Sequence, residues 1–254
     1  MLEVYGHPAS QPSRTVIWAC VLNALPFKLT KAVPRGESSI NSRGQVPVIN
    51  DSGFVLAEMP AILPYLAEKY GWASMYPDDM HTRARISEYL HAHHSLTRLA
   101  TTKLMAPHVL VAFGGNPLSN PLSYVNNLCI QTSMDNTEGL ASGQQVLTEI
   151  FDFIESTYLK DRDFIAGTSS ASIADLACFE ELEQLRIANL FDFSGNTSLS
   201  NWLQRMQDLP YYESIHRYNI ALGDIQTQPN TMERFSRAVS EAFDTMFDLE
   251  YVHC

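Results

Sequence analysis

The chain has 254 residues, of which 45% are hydrophobic and 18% are charged, and its formal net charge is −11. This length provides ample core for one large domain or two smaller ones, and the composition is typical of a soluble globular protein. The acidic charge argues against nucleic-acid binding, which needs clustered Lys and Arg, and against binding to an anionic membrane surface.

The sequence shows no sign of secretion or membrane insertion. The N-terminus enters a strand-like run directly, and no stretch approaches the ~18 consecutive apolar residues of a membrane span. The cysteines are scattered without any C-x-x-C spacing, at positions 20, 129, 178 and 254. We therefore expect a cytoplasmic protein with reduced thiols.

Strands and helices alternate in the N-terminal part of the predicted structure. Residues 2–5 and 27–30 read as strands, and the helix between them begins near Pro12, with Ser10 at or just before its N-terminus. Residues 46–49 and 54–56 are apolar runs separated by Asn-Asp-Ser-Gly, which predicts a hairpin. A helix follows from near Glu58 to Gly71. This order, β-α-β and then β-β-α, predicts a thioredoxin-like fold.

The remainder of the chain is predicted to be helical. One helix is expected over residues 79–113, a second over 123–159, and a third from a capping box at Ser172 and Asp175 to about Ile187. Shorter helices follow near Trp202 and over 212–222, and an amphipathic helix covers 232–247. The predicted fold class is α/β plus all-α: a thioredoxin-like domain at 1–76, an all-helical domain at 79–222, and a C-terminal extension at 223–254.

Pro47 is unusual because it lies in a run that otherwise resembles a central strand, where proline removes a ladder hydrogen bond. A cis Val46-Pro47 bond at the start of the strand would resolve the conflict and turn the backbone of Val46 outward. A strand edge offered in this way can hold an extended, peptide-like ligand through main-chain hydrogen bonds.

The motif of Val-Pro before a hairpin, then an acidic residue at a helix start, resembles the glutathione-binding half of glutathione transferases. The matching residues are Gln45, Val46, Pro47, Glu58 and 61–70. A second segment, Ser-Gln-Pro-Ser-Arg at 10–14, is similar to the S-x-P-C-R run of the theta and delta classes, and 83–90 resembles the opening of the theta-class helical domain. The resemblance spans roughly residues 2–222.

This resemblance implies a cytosolic, homodimeric transferase that uses glutathione as co-substrate and no metal. Ser10 would stabilise the glutathione thiolate, which would attack a small, apolar electrophile. A hydroxyl at a helix N-terminus can donate to a thiolate, and the positive end of the helix also favours the anion. Ser13 is the alternative catalytic candidate, and a role for Ser10 as a helix cap alone stays open.

The same resemblance assigns the remaining site residues. Val46 would carry the main-chain contacts to the cysteinyl part of glutathione, and Gln11, Gln45 and Pro47 would also belong to the glutathione site. Glu58 would face the γ-glutamyl end, and the backbone N–H of Met59 would bind its carboxylate. Two further residues, Arg98 and Phe243, would line the electrophile site, and for Arg98 an ion pair at the surface or between subunits is equally open. For the C-terminal helix that carries Phe243, packing against the helical domain and a lid over the site are both open.

Two departures from the family pattern keep other functions open. Met59 stands where the family has Ser, so one hydroxyl hydrogen bond to glutathione is lost, and the connector over 34–45 is shorter than usual. These changes favour a non-catalytic member that binds ligands or proteins. Other thiol chemistry is a further alternative, although no Cys lies in the active loop. The cluster of His91, His93 and His94 cannot share one helix face, so no metal site is expected.

Overall fold

The computed structural model describes residues 1–32, 40–112 and 147–249. Within these ranges, the N-terminal domain contains a four-stranded mixed sheet with two helices. The elements in chain order are β1 (Leu2–Gly6), α1 (Gln11–Leu22), β2 (Phe27–Lys31), β3 (Val48–Asp51), β4 (Phe54–Ala57) and α2 (Met59–Tyr70). The thioredoxin-like order predicted from the sequence is therefore confirmed.

The sheet has the order β2-β1-β3-β4, with β1 at its centre. Strand β2 runs parallel to β1, whereas β3 runs antiparallel to it and β4 antiparallel to β3. Val4 of β1 lies between Leu29 and Ile49 of the neighbouring strands, and all three side chains are buried. Strand β1 ends at Gly6 in this central position. The loop that follows it therefore begins at the C-terminal end of a central strand.

The predicted hairpin and its helix are also observed. The N–H of Gly53 donates to Oδ1 of Asn50 at 2.9 Å and closes the turn between β3 and β4. The peptide bond before Pro47 is cis, as expected. Helix α2 ends at Gly71, whose φ of 71° lies in the left-handed region that glycine adopts without strain.

In the second part of the chain, the described residues 77–112 and 147–249 are mainly helical. Its elements are α3 (Met80–Ala92), α4 (Thr97–Ala112), a helical stretch over 147–154 that continues with wider turns through Glu155–Leu159, α5 (Ile173–Ile187), α6 (Thr197–Gln207), α7 (Tyr212–Ile215), α8 (Arg217–Leu222) and α9 (Met232–Asp248). Within the described ranges, none of the helices combines the length and the apolar character needed to cross a membrane.

The prediction of one continuous helix over 79–113 is wrong, because the chain breaks between α3 and α4. The break follows from short polar side chains that compete for backbone groups. The Ser95 hydroxyl donates to the carbonyl of Ala92 at 3.0 Å, and the N–H of Arg98 reaches back to the carbonyl of His93 at 3.0 Å. The predicted helix over 212–222 is likewise divided at His216.

Two other predictions fall partly on residues that the structure does not describe. The predicted helix over 123–159 is confirmed as helical backbone from 147 to 159, and its earlier part lies outside the described residues. Half of the connector over 34–45 lies outside them as well, since the description resumes at Ile40.

Helix α5 is the centre of the helical domain and packs against α1, α3, α4 and α6. Its side chains are buried continuously from Ile173 to Leu185. The predicted capping box is present, and the Asp175 carboxylate accepts from the N–H groups of Ser172 and Ile165, both at 2.8 Å, and from the indole of Trp202 at 2.9 Å. This network fixes the start of α5, which contacts both domains.

Candidate active site at the start of helix α1

Ser10 is the N-cap residue of α1 and is only partly buried. Its Oγ accepts a long hydrogen bond, 3.4 Å, from the N–H of Ser13, and its carbonyl accepts from the N–H of Arg14 at 3.0 Å. A hydroxyl that accepts from the backbone still has its proton to donate. The geometry therefore combines capping with a hydroxyl that can serve as a donor at the positive end of the helix.

Ser13, the alternative candidate, is fully buried beneath the same turn. A Cβ placed on Gly6 would lie only 3.4 Å from the Cβ of Ser13, so this side chain faces the end of β1. A ligand that approaches from solvent meets Ser10 before it can meet Ser13. Of the two serines, the structure places Ser10 in the position suited to contact a thiolate.

The segment before β3 is held by the side chain of Asn41. Its Nδ2 donates to the carbonyl of Gln45 at 2.8 Å, and its Oδ1 accepts from the N–H groups of Arg43 and Gln45 at 2.9 and 3.3 Å. The Gln45 side chain is exposed, Val46 is half-buried, and Pro47 is buried. The backbone of Gln45 is thus occupied by Asn41, which leaves its side chain as the part that can contact a ligand.

Glu58 caps the N-terminus of α2 in a strained conformation, with φ 72° and ψ 110°. A non-glycine residue with positive φ costs about 1–3 kcal/mol and persists where the surroundings enforce it, which is common at ligand sites. Its carboxylate pairs with Nη1 of Arg43 at 2.9 Å on the surface. Sequence reasoning did not single out Arg43, and no local pattern relates positions 43 and 58.

Met59, the first residue of α2, is 3% exposed and belongs to the hydrophobic core of the domain. Its side chain therefore contributes packing at the position where the family pattern has a hydroxyl. The polar group that this residue contributes at the helix N-terminus is its backbone N–H, and the contact of that group with a ligand carboxylate stays a prediction.

Gln11 and Arg98 meet at a carboxylate of the helical domain. The Nε2 atom of Gln11 donates to Oε2 of Glu181 at 2.7 Å, and Nη1 of Arg98 lies 3.4 Å from Oε1 of the same residue. Arg98 is about one-third exposed at 34%, whereas Glu181 is fully buried. The polar end of each side chain is thus directed toward Glu181.

Phe243 of α9 lies against the loop that follows β1. Its ring contacts the imidazole of His7 edge to face with centroids 5.4 Å apart, and Nζ of Lys31 lies 4.6 Å from its centre. Helix α9 also packs on α7 and α8. The C-terminal helix therefore packs against both domains and borders the loop that carries Ser10.

Burial beside this helix lowers the pKa of His7 to about 4. The imidazole is therefore neutral near pH 7, with its Nδ1 accepting from the N–H of Ala9 at 3.2 Å. A neutral ring suits the apolar contact with Phe243 and adds no charge beside Ser10.

Comparisons with known proteins agree with this arrangement. A family model for the glutathione S-transferase N-terminal domain matches residues 4–74. The chain is 32% identical over 215 residues to mouse glutathione S-transferase theta-3, which covers 81% of this chain and 82% of the mouse protein. It is 33% identical over 214 residues to rat glutathione S-transferase theta-2, with 81% of this chain and 80% of the rat protein covered.

Solved structures show the same similarity. Human glutathione transferase theta-2 in complex with glutathione and an unknown ligand superposes with a TM-score of 0.73 and 25% identity, and all of both chains is covered. A human theta-class enzyme with the glutathione conjugate of 1-menaphthyl sulfate gives a TM-score of 0.70 at 25% identity, with 100% of this chain and 99% of that chain covered. On these similarities in sequence and fold, the chain belongs to the theta-class glutathione S-transferase family.

Proposed function

We propose that the protein binds glutathione at the edge of its N-terminal domain and that the Ser10 hydroxyl donates to the thiolate. The observation that carries this proposal is the placement of Ser10. It supplies a partly exposed N-cap hydroxyl in the loop that follows the central strand β1. The donor and the helix terminus both favour the anion, so they lower the thiol pKa and supply the nucleophile at neutral pH.

The glutathione site would extend from Ser10 to the start of α2. Val46 would hold the cysteinyl group through its backbone, with Pro47 fixing the direction of the chain. Glu58 would receive the γ-glutamyl amine, and the N–H of Met59 its carboxylate. Arg43, which pairs with Glu58, lies where it can balance the charge of that end of the ligand. Gln45 would contact the ligand through its exposed side chain, and Gln11 through its backbone N–H at the helix start.

The electrophile would enter between the first domain and the helices that face it. Phe243 would supply an apolar wall, which favours a small, apolar electrophile. Arg98 is 34% exposed and pairs with Glu181 through Nη1, so its other N–H groups would be the part that can polarise a leaving group. We infer domain boundaries at 1–76 and 79–222 with an extension at 223–254, and a cytoplasmic location. We also infer a homodimer. A mass equal to that of one chain in sedimentation equilibrium would contradict it.

The test is a titration of bound glutathione across neutral pH, in which the ultraviolet absorbance of the thiolate is followed for the wild type, Ser10→Ala and Ser13→Ala. We expect a depressed thiol pKa in the wild type, a rise of about one unit or more in Ser10→Ala, and little change in Ser13→Ala, whose side chain is buried. Equal thiol pKa values in the wild type and Ser10→Ala would refute the role given to Ser10.

The alternative is a non-catalytic protein that keeps the fold and binds apolar ligands. Met59 favours this alternative, because the lost hydroxyl hydrogen bond lowers the affinity for glutathione by about tenfold or more. Two measurements separate the alternatives: glutathione binding at millimolar concentration, and turnover of a general electrophile such as an aryl halide. Binding of an apolar dye without either activity would support the non-catalytic protein.

A further inference from the structure

Two adjacent glutamates of α5, Glu180 and Glu181, are both fully buried. Burial of one carboxylate is costly, and burial of two neighbours on one helix requires that each is compensated by nearby donors. The donors include residues from the first turn of α1, on the other side of the contact between the domains. This helix begins immediately after Ser10.

Glu181 is surrounded by donors from three helices. Its Oε2 accepts from the amides of Gln11 and Gln184 at 2.7 and 3.2 Å, and its Oε1 lies 3.3 Å from Nε2 of His93 and 3.4 Å from Nη1 of Arg98. Burial alone raises the pKa of this carboxyl, but Arg98, His93 and Gln11 outweigh burial and hold the pKa below its usual value. Glu181 is therefore an ionised acceptor near pH 7.

Glu180 reaches the same turn through Arg14. Its Oε2 accepts from Nε of Arg14 at 2.7 Å, while Nη1 of Arg14 donates to the carbonyl of Pro8 at 2.8 Å. Pro8 lies two positions before Ser10, and Gln11 lies one position after it. The two carboxylates thus hold the chain on both sides of Ser10.

The bond from Gln11 to Glu181 acts on the geometry that the proposed function requires. Gln11 is the first residue of α1, and the next two N–H groups of the helix, from Ser13 and Arg14, both bond to Ser10. A shift of Gln11 therefore changes the direction in which the Ser10 hydroxyl points. A displacement of even ~1 Å at a reacting group is enough to reduce a rate about a hundredfold.

We propose that Glu181 is a positioning residue of the thiolate site, which fixes the first turn of α1 and the Ser10 hydroxyl through its hydrogen bond to Gln11. This proposal rests on the function proposed above. It differs from a purely structural role, because Glu181 would affect the state of a ligand that it does not touch.

The test uses Glu181→Gln, which keeps the shape of the side chain but has one acceptor oxygen instead of two. Charged Arg98 competes best for that oxygen, so the amide nitrogen turns toward Gln11, whose own amide must flip to accept from it. A neutral hydrogen bond then replaces the charge-assisted one, and the hold on the first turn of α1 is weakened. We expect the thiol pKa of bound glutathione to rise by about one unit, a roughly tenfold loss of thiolate below the pKa. If Glu181 acted on the thiol only through its charge, the loss of that buried negative charge would lower the thiol pKa. The positioning role and a purely electrostatic role therefore predict shifts of opposite sign.

A double-mutant cycle tests whether Glu181 acts through Gln11. In a Gln11→Ala background, Glu181→Gln should raise the thiol pKa no further. The matched control is Glu183→Gln: this carboxylate of α5 is also fully buried, and its partners Arg186, Gln207 and Tyr212 all belong to the helical domain. Glu183→Gln should reduce stability and leave the thiol pKa unchanged.

A measurement without glutathione keeps the proposal testable if the proposed function fails. Amide hydrogen exchange at Ser13 and Arg14 should be on the order of tenfold faster in Glu181→Gln than in the wild type, and unchanged in Glu183→Gln. If the wild type does not bind glutathione, the proposed function fails, and unchanged exchange would show separately that Glu181 does not hold the turn. An unchanged or lowered thiol pKa, or additive effects in the cycle, overturns the proposal.

Discussion

At the scale of single residues, the side chain of Met59 packs in the hydrophobic core at the position where the family pattern has a hydroxyl that bonds to glutathione. Its side chain packs among buried residues of the first domain, while its N–H remains at the start of α2. The chain thus gains apolar burial and gives up one polar contact beside Glu58. This exchange makes stability and glutathione affinity depend on the same side chain in opposite directions.

Met59→Ser should therefore lower the free energy of unfolding by about 2–4 kcal/mol and tighten glutathione binding by about tenfold. The first effect comes from the cavity, and the second from a new hydroxyl donor to the ligand carboxylate. Urea denaturation and calorimetric titration measure the two. Met59→Ala is the matched control, since it opens a similar cavity without a hydroxyl; equal glutathione affinity in both variants would contradict the prediction.

At the scale of elements, α9 packs on the loop after β1 through the contact of Phe243 with His7, whose imidazole is neutral near pH 7. Burial lowers the pKa of His7 from its usual 6.5 to about 4. The unfolded chain takes up this proton near pH 6.5, whereas the folded protein takes it up only near pH 4. Acidification between these values therefore favours the unfolded state, and the stability that the buried neutral ring contributes is lost as the pH falls.

His7→Asn should remove this part of the acid sensitivity, because the amide oxygen can still accept from the N–H of Ala9 and does not titrate. The free energy of unfolding, measured by urea denaturation from pH 7 to pH 4, should fall less steeply in this variant than in the wild type. His81→Asn is the control, since that imidazole is 91% exposed. Parallel pH profiles for His7→Asn and the wild type would be inconsistent with a buried neutral ring.

At the scale of the whole molecule, the ion pair of Arg14 and Glu180 joins α1 of the first domain to α5 of the second. Both side chains are fully buried, with 2.7 Å between Nε and Oε2. The Oε1 atom of Glu180 also lies 3.3 Å from Nε2 of His216, so removal of Arg14 leaves a buried carboxylate that has lost its guanidinium partner and keeps an imidazole beside it. Removal of both members of the ion pair removes both buried charges.

Arg14→Met should thus lower the free energy of unfolding by about 3–5 kcal/mol, and the double variant Arg14→Met/Glu180→Leu should recover most of that loss. Chemical denaturation at pH 7 checks both. If Arg14→Met costs no more than an exposed pair such as Arg217 and Glu241, which is worth ~0–1 kcal/mol, the buried charge is compensated by other groups.

The fold was predictable because its signals are local. Alternating apolar residues, the Asn-Asp-Ser-Gly turn, the glycine at the end of α2 and the capping box before α5 each act within a few residues. The prediction failed between α3 and α4, where Ser95 and its neighbours form the hydrogen bonds of turns in place of helical ones. Apolar periodicity alone does not detect such a break, because both halves keep their buried faces.

The sequence by itself determined the order of strands and helices, the family resemblance and the position of Ser10 at a helix start, since each is written in contiguous residues. The tertiary structure decided which side chains of α5 bind the helix that follows Ser10. Gln11 bonds to Glu181, 170 positions away, and Arg14 bonds to Glu180, 166 positions away. It also decided that Ser13 is buried and that Met59 faces the core. Contacts between residues so distant depend on how two domains pack, which no spacing within either segment encodes.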